Sequence, residues 1–316
     1  MGAPGFEKIL VVTQKTALEE LIERYGTRDQ ARFYLEHMGI SFADYQAAHD
    51  QYHASLGLLK TYLPPKVRSQ LIERSFLPNY LFAPQDLVVT LGRDGLVVNT
   101  GKYLAGQPLV AFNPDPQRID GVLIPFPVTA AAEVLHRVLN YDYGARHLTL
   151  AKATLNDGQK LYAVNDLFIG QRTHVSARYR LRLGRRQEDQ SSSGVIVSTG
   201  AGSTGWLRSV FTGAAGVADG VLGTPKAVQQ IRNSYAFDPA AERLCFSVRE
   251  PFVSRVSSAA LVFGAIGRDE TLEIESQMPQ NGVIFSDGVE SDFLRFDSGA
   301  IARIAVAEKK VALVSS

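Results

Sequence analysis

The chain has 316 residues, 45% of them hydrophobic and 21% charged, which suffices for one large or two ordinary domains. Its net charge of +1 gives no general attraction to nucleic acid or to an anionic membrane. Cys245 is the only cysteine, which excludes a disulfide framework and a cysteine-built metal site. No apolar run approaches the roughly 20 residues that cross a bilayer. We therefore expect a soluble, cytoplasmic protein that binds neither nucleic acid nor membrane.

The first part of the chain predicts alternating strands and helices. A strand is predicted over residues 8–13, and Thr16 with Glu19 predicts a capping box before a helix that Gly26 ends. Further helices are predicted over residues 29–38, 42–60, 67–73, 97–104 and 129–140, and buried strands over 87–91 and 108–112. This alternation is typical of a doubly wound, Rossmann-like α/β domain, which we place at residues 1–145.

From about residue 146 onward, predicted strands replace the helices. Two of them flank Asn156-Asp157-Gly158, a strong hairpin signal. Residues 175–183 alternate between apolar side chains and arginines, and a solvated arginine face is favoured over a phosphate-binding one. Further strands are predicted over residues 195–197, 243–248, 259–263 and 271–275. We expect a β-rich domain of the sandwich type over residues 146–316.

The predicted central strand of the first domain ends in Gly92-Arg93-Asp94-Gly95. This turn places one carboxylate at the carboxyl edge of a parallel sheet, where open α/β sheets bind their ligands. Glycines let backbone N–H groups approach a phosphate, and Asp94 can accept a proton or face a metal. The alternative is a tight strand-to-helix turn with a solvated aspartate, and the tetrapeptide alone does not decide between them.

A second candidate site follows the predicted strand at residues 195–197. Its residues are Ser198, Thr199, Gly200, Ala201, Gly202, Ser203, Thr204 and Gly205, followed by Trp206. Such a loop can surround a ribose or a phosphate with N–H and O–H groups, and a glycine-rich structural turn is the alternative. Gly200 to Gly205 also fits the G-x-G-x-x-G fingerprint, with Asp219 as the ribose-binding acid. That fit is weak, because the neighbouring strands are predicted to be antiparallel.

Asn165 and Asp166 interrupt an otherwise apolar predicted strand. Adjacent side chains on a strand point to opposite faces, so one of the two would face the core unless the strand bends or ends there. A carboxylate beside a carboxamide can bind ribose hydroxyls. A capped turn is the alternative.

Two histidines, His49 and His53, are four residues apart on a predicted helix and can bind a metal as a pair. Their segment is H-D-Q-Y-H rather than H-E-x-x-H, and the sequence shows no third ligand. We therefore expect an ordinary helix surface and no metal ligands from the protein.

Together the three motifs resemble the NAD kinase family, which carries a Gly-Gly-Asp-Gly turn, an Asn-Glu/Asp pair and a Gly/Ser/Thr loop in that order. The segments VAFNPDPQRIDGVLIPF, NDLFIGQRTHVSARY, SSGVIVSTGAGSTGW and EPFVSRV are most similar to the mitochondrial-type branch. The resemblance extends from the first strand to DSGAIARIAV near the end, and so covers nearly the whole chain.

The resemblance implies an enzyme that uses ATP and Mg²⁺ to phosphorylate the 2′-hydroxyl of the adenosine ribose of NAD, giving NADP. It implies a general base at Asp94, ATP phosphates held at Gly92 and Gly95, and a homodimer or homotetramer. The residues that it assigns to NAD or to the nucleotide pocket are Asn165, Asp166, Thr199, Ala201, Thr204 and Trp206.

The sequence departs from the family at Arg93, which replaces the second glycine of the turn, and at Ser193, where many bacterial members have an aspartate. If position 93 required a positive φ, arginine would cost about 1–2 kcal/mol. A guanidinium can also bind a phosphate or an acid next to the site, which we favour. The other functions considered are a catalytically weak dinucleotide sensor and an NAD(P)-dependent oxidoreductase using Gly200 to Gly205. A lipid or sugar kinase would share the first turn but leave the loop at 198–206 unexplained.

Overall fold

The structure is a computed structural model that describes residues 5–223, 229–231 and 234–315. The described chain divides into two compact units, one formed by residues 5–146 with 312–315 and the other by the described residues between 147 and 311. The first is α/β and the second is β-rich, so the predicted fold class is confirmed. None of the described helices combines the length and the apolar character that a membrane span requires.

The first unit is built around a parallel sheet. Its strands are β1 (Lys8–Thr13), β2 (Arg68–Glu73), β3 (Asp86–Leu91), β4 (Pro108–Asn113) and β5 (Phe126–Pro127). Its helices are α1 (Ala17–Tyr25), α2 (Arg28–His37), α3 (Phe42–Tyr62), α4 (Asp94–Gly101) and α5 (Ala131–Leu139). The strand order is β4-β3-β1-β2, with β5 beside β4. Every residue of β3 and β4 is buried, as expected for strands covered on both faces.

Of the helices predicted from the sequence of the first unit, some are confirmed and one is wrong. The capping box is confirmed, since Thr16 and Glu19 each accept the other's backbone N–H, and Gly26 ends α1 at a φ of 90°. The helix predicted over residues 67–73 is wrong, because these residues form β2, which pairs with β1 along its length. This short segment has only two apolar side chains after residue 67, Leu71 and Ile72, so its pattern fits either element and pairing to an existing strand decides it. The helix predicted over residues 129–140 is present as α5, which ends at Leu139, and Gly144 begins the next strand.

The second unit is a sandwich of two antiparallel sheets. Its first strands are β6 (Gly144–Leu155), β7 (Lys160–Ala163), β8 (Asp166–Gln171), β9 (Ala177–Leu183), β10 (Arg186–Ser192) and β11 (Val195–Ser198). Helix α6 (Trp206–Leu222) precedes β12 (Arg243–Val248), β13 (Phe263–Gly267), β14 (Leu272–Ser276), β15 (Gly282–Ser286), β16 (Val289–Arg295) and β17 (Ile301–Ser315). One sheet has the order β13-β12-β11-β8-β15-β16, and the other contains β10-β9-β14-β17. Side chains of both sheets fill one core, including Tyr179, Phe246, Ile284 and Phe296.

Strand predictions in the second unit were partly right. The hairpin at residues 156–158 is confirmed by the antiparallel pairing of β6 with β7. The strand predicted over 259–263 instead begins at Phe263. The arginine face of β9 makes ion pairs, since Arg180 contacts Asp189 at 2.9 Å and Arg182 contacts Glu273 at 2.7 Å. These ion pairs account for Arg180 and Arg182 without a phosphate.

Candidate active-site segments

The first candidate segment, Gly92–Gly95, joins the end of β3 to the start of α4. The Gly92 N–H donates to the Phe112 carbonyl at 3.3 Å, which holds the turn against β4. A Cβ at Gly92 would lie 2.8 Å from the Leu96 side chain and 3.3 Å from that of Gln14. A side chain at the first position of the turn would therefore have to displace the Leu96 side chain.

Asp94, the first residue of α4, is half-buried and binds two backbone amides. Its Oδ2 accepts the Val122 N–H and its Oδ1 accepts the Leu123 N–H, both at 3.0 Å. A carboxylate offers about four acceptor positions, so each oxygen can still accept a hydrogen bond from a substrate hydroxyl. Sequence reasoning missed these amides, because a backbone donor leaves no residue signature.

Arg93 adopts an extended backbone with φ −91° and ψ 170°. The positive φ considered from the sequence does not occur, so the conformational penalty for arginine is absent. The side chain is exposed, and no hydrogen bond or ion pair joins its guanidinium to any described residue. Gly95 is also exposed, and a Cβ there would meet no atom within 4 Å. The fold itself therefore does not require glycine at position 95.

The second candidate segment begins at the interruption between β7 and β8, which contains Val164 and Asn165. The Asp287 carboxylate accepts the N–H groups of Val164, Asn165 and Asp166 at 3.1, 2.7 and 3.3 Å. The Asp287 N–H donates in turn to the Asp166 carbonyl at 2.9 Å. Asp287 thus fixes the backbone that presents both predicted polar residues. Its Asp-Gly turn, with φ of 55° and 70°, is a hairpin signal that could have located it.

Asp166 has an unusual environment for a carboxylate. Its residue surface is half-buried, but its Oδ1 atom is fully buried and has no hydrogen-bond partner among the described residues. Burial raises the pKa of Asp166 from 3.8 to about 7, while a hydrogen bond with Ser198 opposes the shift and the Asp287 charge adds to it.

This raised pKa predicts a pH dependence of stability. Because the folded-state pKa exceeds the unfolded one, Asp166 stabilises the fold fully below pH ~3.8, and that contribution is lost as pH rises through about 7. We expect Asp166→Asn, which stays neutral, to become increasingly more stable than wild type between pH 4 and pH 7. Urea unfolding of both proteins across that range measures the difference. Parallel pH profiles would contradict the assignment.

The loop at residues 198–205 packs directly against this interruption. The Thr199 N–H donates to the Asn165 carbonyl at 2.9 Å, and the Gly202 N–H donates to Thr199 Oγ1 at 3.2 Å. The Ser203 hydroxyl donates to the Gly200 carbonyl at 2.7 Å. The side chains of Ser198, Thr199 and Ser203 are fully buried and bond to backbone carbonyls, so they hold the loop together rather than face solvent.

Three other residues of this segment reach the surface. Ala201 and Trp206 are half-buried, and Thr204 is exposed. The Trp206 ring is stacked on the Phe168 ring, with 5.8 Å between the ring centres and 12° between the ring planes. The Arg249 guanidinium lies 5.5 Å from the Trp206 ring centre. These side chains, with Asn165 and Asp166, are the part of the segment that a ligand can reach.

The oxidoreductase alternative needed a parallel β-α-β unit at this loop. Strand β11 instead pairs antiparallel with both β8 and β12. Asp219 lies exposed on α6 rather than at the end of a strand. The G-x-G-x-x-G match therefore lacks its structural context.

An α/β unit with an aspartate turn and an antiparallel unit with a glycine-hydroxyl loop together make a two-domain fold, and solved NAD(H) kinases share it. Yeast NADH kinase complexed with NADH superimposes with a TM-score of 0.61 and 14% identity, covering 99% of this chain and 84% of that one. The NAD kinase from Archaeoglobus fulgidus in complex with ATP gives a TM-score of 0.56 and 15% identity, covering 98% and 93%.

Sequence comparison leads to the same family over a shorter length. The curated NAD kinase of Burkholderia pseudomallei is 32% identical over 141 residues, and that of Paraburkholderia phymatum is 30% identical over 141 residues. Each match spans 42% of this chain and 46% of the relative, so less than half of the relatives' length is matched. No family model matches the chain. The relatives and the structural neighbours together support the NAD kinase family.

Proposed function

We propose that this chain transfers the γ-phosphoryl group of ATP to the 2′-hydroxyl of the adenosine ribose of NAD, giving NADP and ADP. The observation that carries the proposal is the Gly92–Gly95 turn, where Asp94 lies at a parallel-sheet edge and keeps acceptor positions open. The names of the relatives, and the NADH and ATP bound to the structural neighbours, support the same chemistry. Within the family, we propose the mitochondrial-type branch, supported by segments such as NDLFIGQRTHVSARY.

The first unit is proposed to hold ATP and the base. The backbone N–H of Gly95 and the Arg93 guanidinium, which has no partner among the described residues, bind phosphate oxygens. Gly92, whose N–H already donates to the Phe112 carbonyl, holds the turn that presents them. The ribose oxygen attacks the γ-phosphorus, its bond to phosphorus forms, and the bond from that phosphorus to the β-phosphate oxygen breaks to release ADP. Asp94 accepts the hydroxyl proton. Alignment and charge neutralisation supply most of the rate in such a transfer.

Mg²⁺ enters this proposal as the partner of ATP. Protein-bound Mg²⁺ commonly keeps several waters and uses one or two carboxylates together with substrate phosphates. Asp94 is the one carboxylate within the turn, and its open acceptor positions fit an ion held chiefly by ATP. When bound, Mg²⁺ would neutralise the phosphate charge.

The second unit is proposed to bind NAD. Asp166 and Asn165, both half-buried, offer a carboxyl group and a carboxamide side by side, a pair that suits ribose hydroxyls. Ala201, Thr204 and Trp206 form the accessible edge of the same segment. The hydroxyls of Ser198, Thr199 and Ser203 donate to backbone carbonyls, so this binding surface is preorganised before NAD binds.

The direct test incubates the purified protein with NAD, ATP and Mg²⁺ and measures NADP with an NADP-specific cycling assay. Parallel reactions replace NAD with NADH, replace ATP with polyphosphate, or omit the phosphoryl donor. Donor-dependent NADP formation supports the proposal. Calorimetric binding of NAD and ATP with no product would instead favour the dinucleotide sensor.

Arg93 provides a prediction specific to this chain. We expect Arg93→Ala to weaken the use of ATP by roughly 10- to 100-fold, because a charge-assisted hydrogen bond to phosphate is typically worth about 1.5–3 kcal/mol. The extended backbone at this position tolerates alanine, so stability should not change. Steady-state kinetics with varied ATP measures the effect.

Arg93→Gly, which restores the family's residue, separates a phosphate ligand from an obstruction. If arginine binds phosphate, the glycine variant loses activity as the alanine variant does. NADP formation well above wild type would show that the arginine obstructs the site, and the sensor hypothesis would gain.

A further inference from the structure

A second polar cluster lies outside both candidate active-site segments. It combines Glu19 on α1 with His49 and His53 on α3, and one ligand atom from each lies within 4.8 Å of the other two. The two imidazole rings have centres 4.3 Å apart, as their spacing on one helix face allows. The Glu19 Oε1 lies 3.0 Å from the His53 Nε2. The sequence showed the histidine pair but not Glu19, which packing of α1 against α3 supplies.

The cluster is held in place by the cap of α1. The Glu19 Oε2 accepts the Thr16 N–H at 2.7 Å, so the carboxylate is oriented and its Oε1 faces the histidines. The Thr16 Oγ1 lies 2.8 Å from the His49 Nδ1. Metal-binding histidines commonly engage one ring nitrogen with a second group and bind the ion through the other. Thr16 is this second group for His49, so the Nε2 atom of His49 is available to bind an ion.

We propose that Glu19, His49 and His53 bind a divalent transition-metal ion of the Zn²⁺ class. Two imidazoles and one carboxylate are a common three-ligand set for Zn²⁺, with water in the fourth position. Tetrahedral bonds of about 2.0–2.1 Å place ligand atoms roughly 3.3 Å apart, close to the distance already present between Glu19 and His53. His53 is exposed, which leaves the ion a path from solvent.

The donor set selects the metal class. Imidazole nitrogen favours Zn²⁺, Cu²⁺, Ni²⁺ and Co²⁺, whereas Mg²⁺ and Ca²⁺ prefer oxygen ligands. This site is therefore distinct from the Mg²⁺ that accompanies ATP, and the inference does not rest on the proposed kinase activity.

An ion bound by α1 and α3 would link the two helices next to the carboxyl ends of β1 and β3. Tyr52, between the two histidines on α3, accepts the Gln14 N–H at 3.1 Å and donates to the Leu91 carbonyl at 3.3 Å. Gln14 follows β1 and Leu91 ends β3. An ion that joins α1 to α3 should stabilise this part of the fold, so we expect Tm to rise with Zn²⁺ concentration.

The experiment uses tag-free, metal-stripped full-length protein. Calorimetric titration with Zn²⁺ should show one ion bound per chain, and excess Mg²⁺ should not displace it. Titration with Co²⁺ should give the visible absorption of a low-coordinate nitrogen and oxygen site. Absence of Zn²⁺ binding by wild type would overturn the proposal.

Variants locate the site. His53→Ala should lower Zn²⁺ affinity by more than roughly 100-fold, since even outer-shell changes cost about 10–100-fold. Glu19→Gln keeps the cap, because glutamine also serves at that position, but removes the ligand charge and should weaken binding. His37→Ala is the matched control, an exposed histidine on α2 of the same unit. Equal Zn²⁺ affinity in the His53 and His37 variants, both checked for wild-type Tm without metal, would place the ion elsewhere and refute the assignment.

Discussion

Asp94→Asn is expected to lower the rate of NADP formation by roughly 10²–10⁴-fold, the usual worth of a general base. Asparagine has nearly the same shape as aspartate but cannot take the proton of the ribose hydroxyl. Steady-state kinetics at saturating NAD and ATP measures the change. A variant that keeps near-full turnover would show that Asp94 is not the base.

The two amides bound by Asp94 require a control. Asparagine can still accept one N–H from the pair at Val122 and Leu123, but its NH₂ group would face the other. A loosened loop would raise the KM values and lower Tm, whereas loss of the base lowers kcat with substrate binding kept. Comparing kcat, KM and Tm of the variant with wild type therefore distinguishes proton transfer from loop anchoring.

Elements with complete local signals were predictable from the sequence. Helix α1 has a capping box at Thr16 and a glycine stop at Gly26, and both are present in the structure. The segment at 67–73 lacked such signals, and the neighbouring strand β1 decided its conformation. The bounds of strands β15 to β17 were not predicted. Strands β15 and β16 form a hairpin at Asp287-Gly288, a signal that was overlooked, whereas β15 also depends on β8 and β17 on β14, which lie farther away along the chain.

The sequence located the candidate site segments, but it did not predict their backbone conformation or their hydrogen bonds. Residue types located the turn at 92–95 and the loop at 198–206 from the sequence alone. The φ of Arg93 and the amides that hold Asp94 depend on backbone placement, which residue identity does not report. Glu19 shows the same limit, because its contact with His53 depends on how α1 packs against α3.

Close backbone contact is the feature of the 198–205 loop that a single methyl group can test. A Cβ at Gly202 would lie 2.3 Å from the Asn165 carbonyl oxygen and 2.6 Å from its carbon. These are backbone atoms that the Asp287 carboxylate already fixes, so they cannot simply rotate away. An added methyl group must therefore push the loop away from the residues proposed to bind NAD.

We expect Gly202→Ala to lower Tm and to weaken NAD binding by roughly 10- to 100-fold, since overpacking costs about 1–3 kcal/mol. Gly213→Ala is the matched control, because a Cβ there meets no atom within 4 Å and alanine favours the interior of α6 by about 0.5–1 kcal/mol. Thermal unfolding and calorimetry with NAD compare the two variants. Gly213→Ala should keep wild-type NAD affinity with a Tm at or above that of wild type. If Gly202→Ala behaves in the same way, close packing of the loop on Asn165 does not form the binding surface.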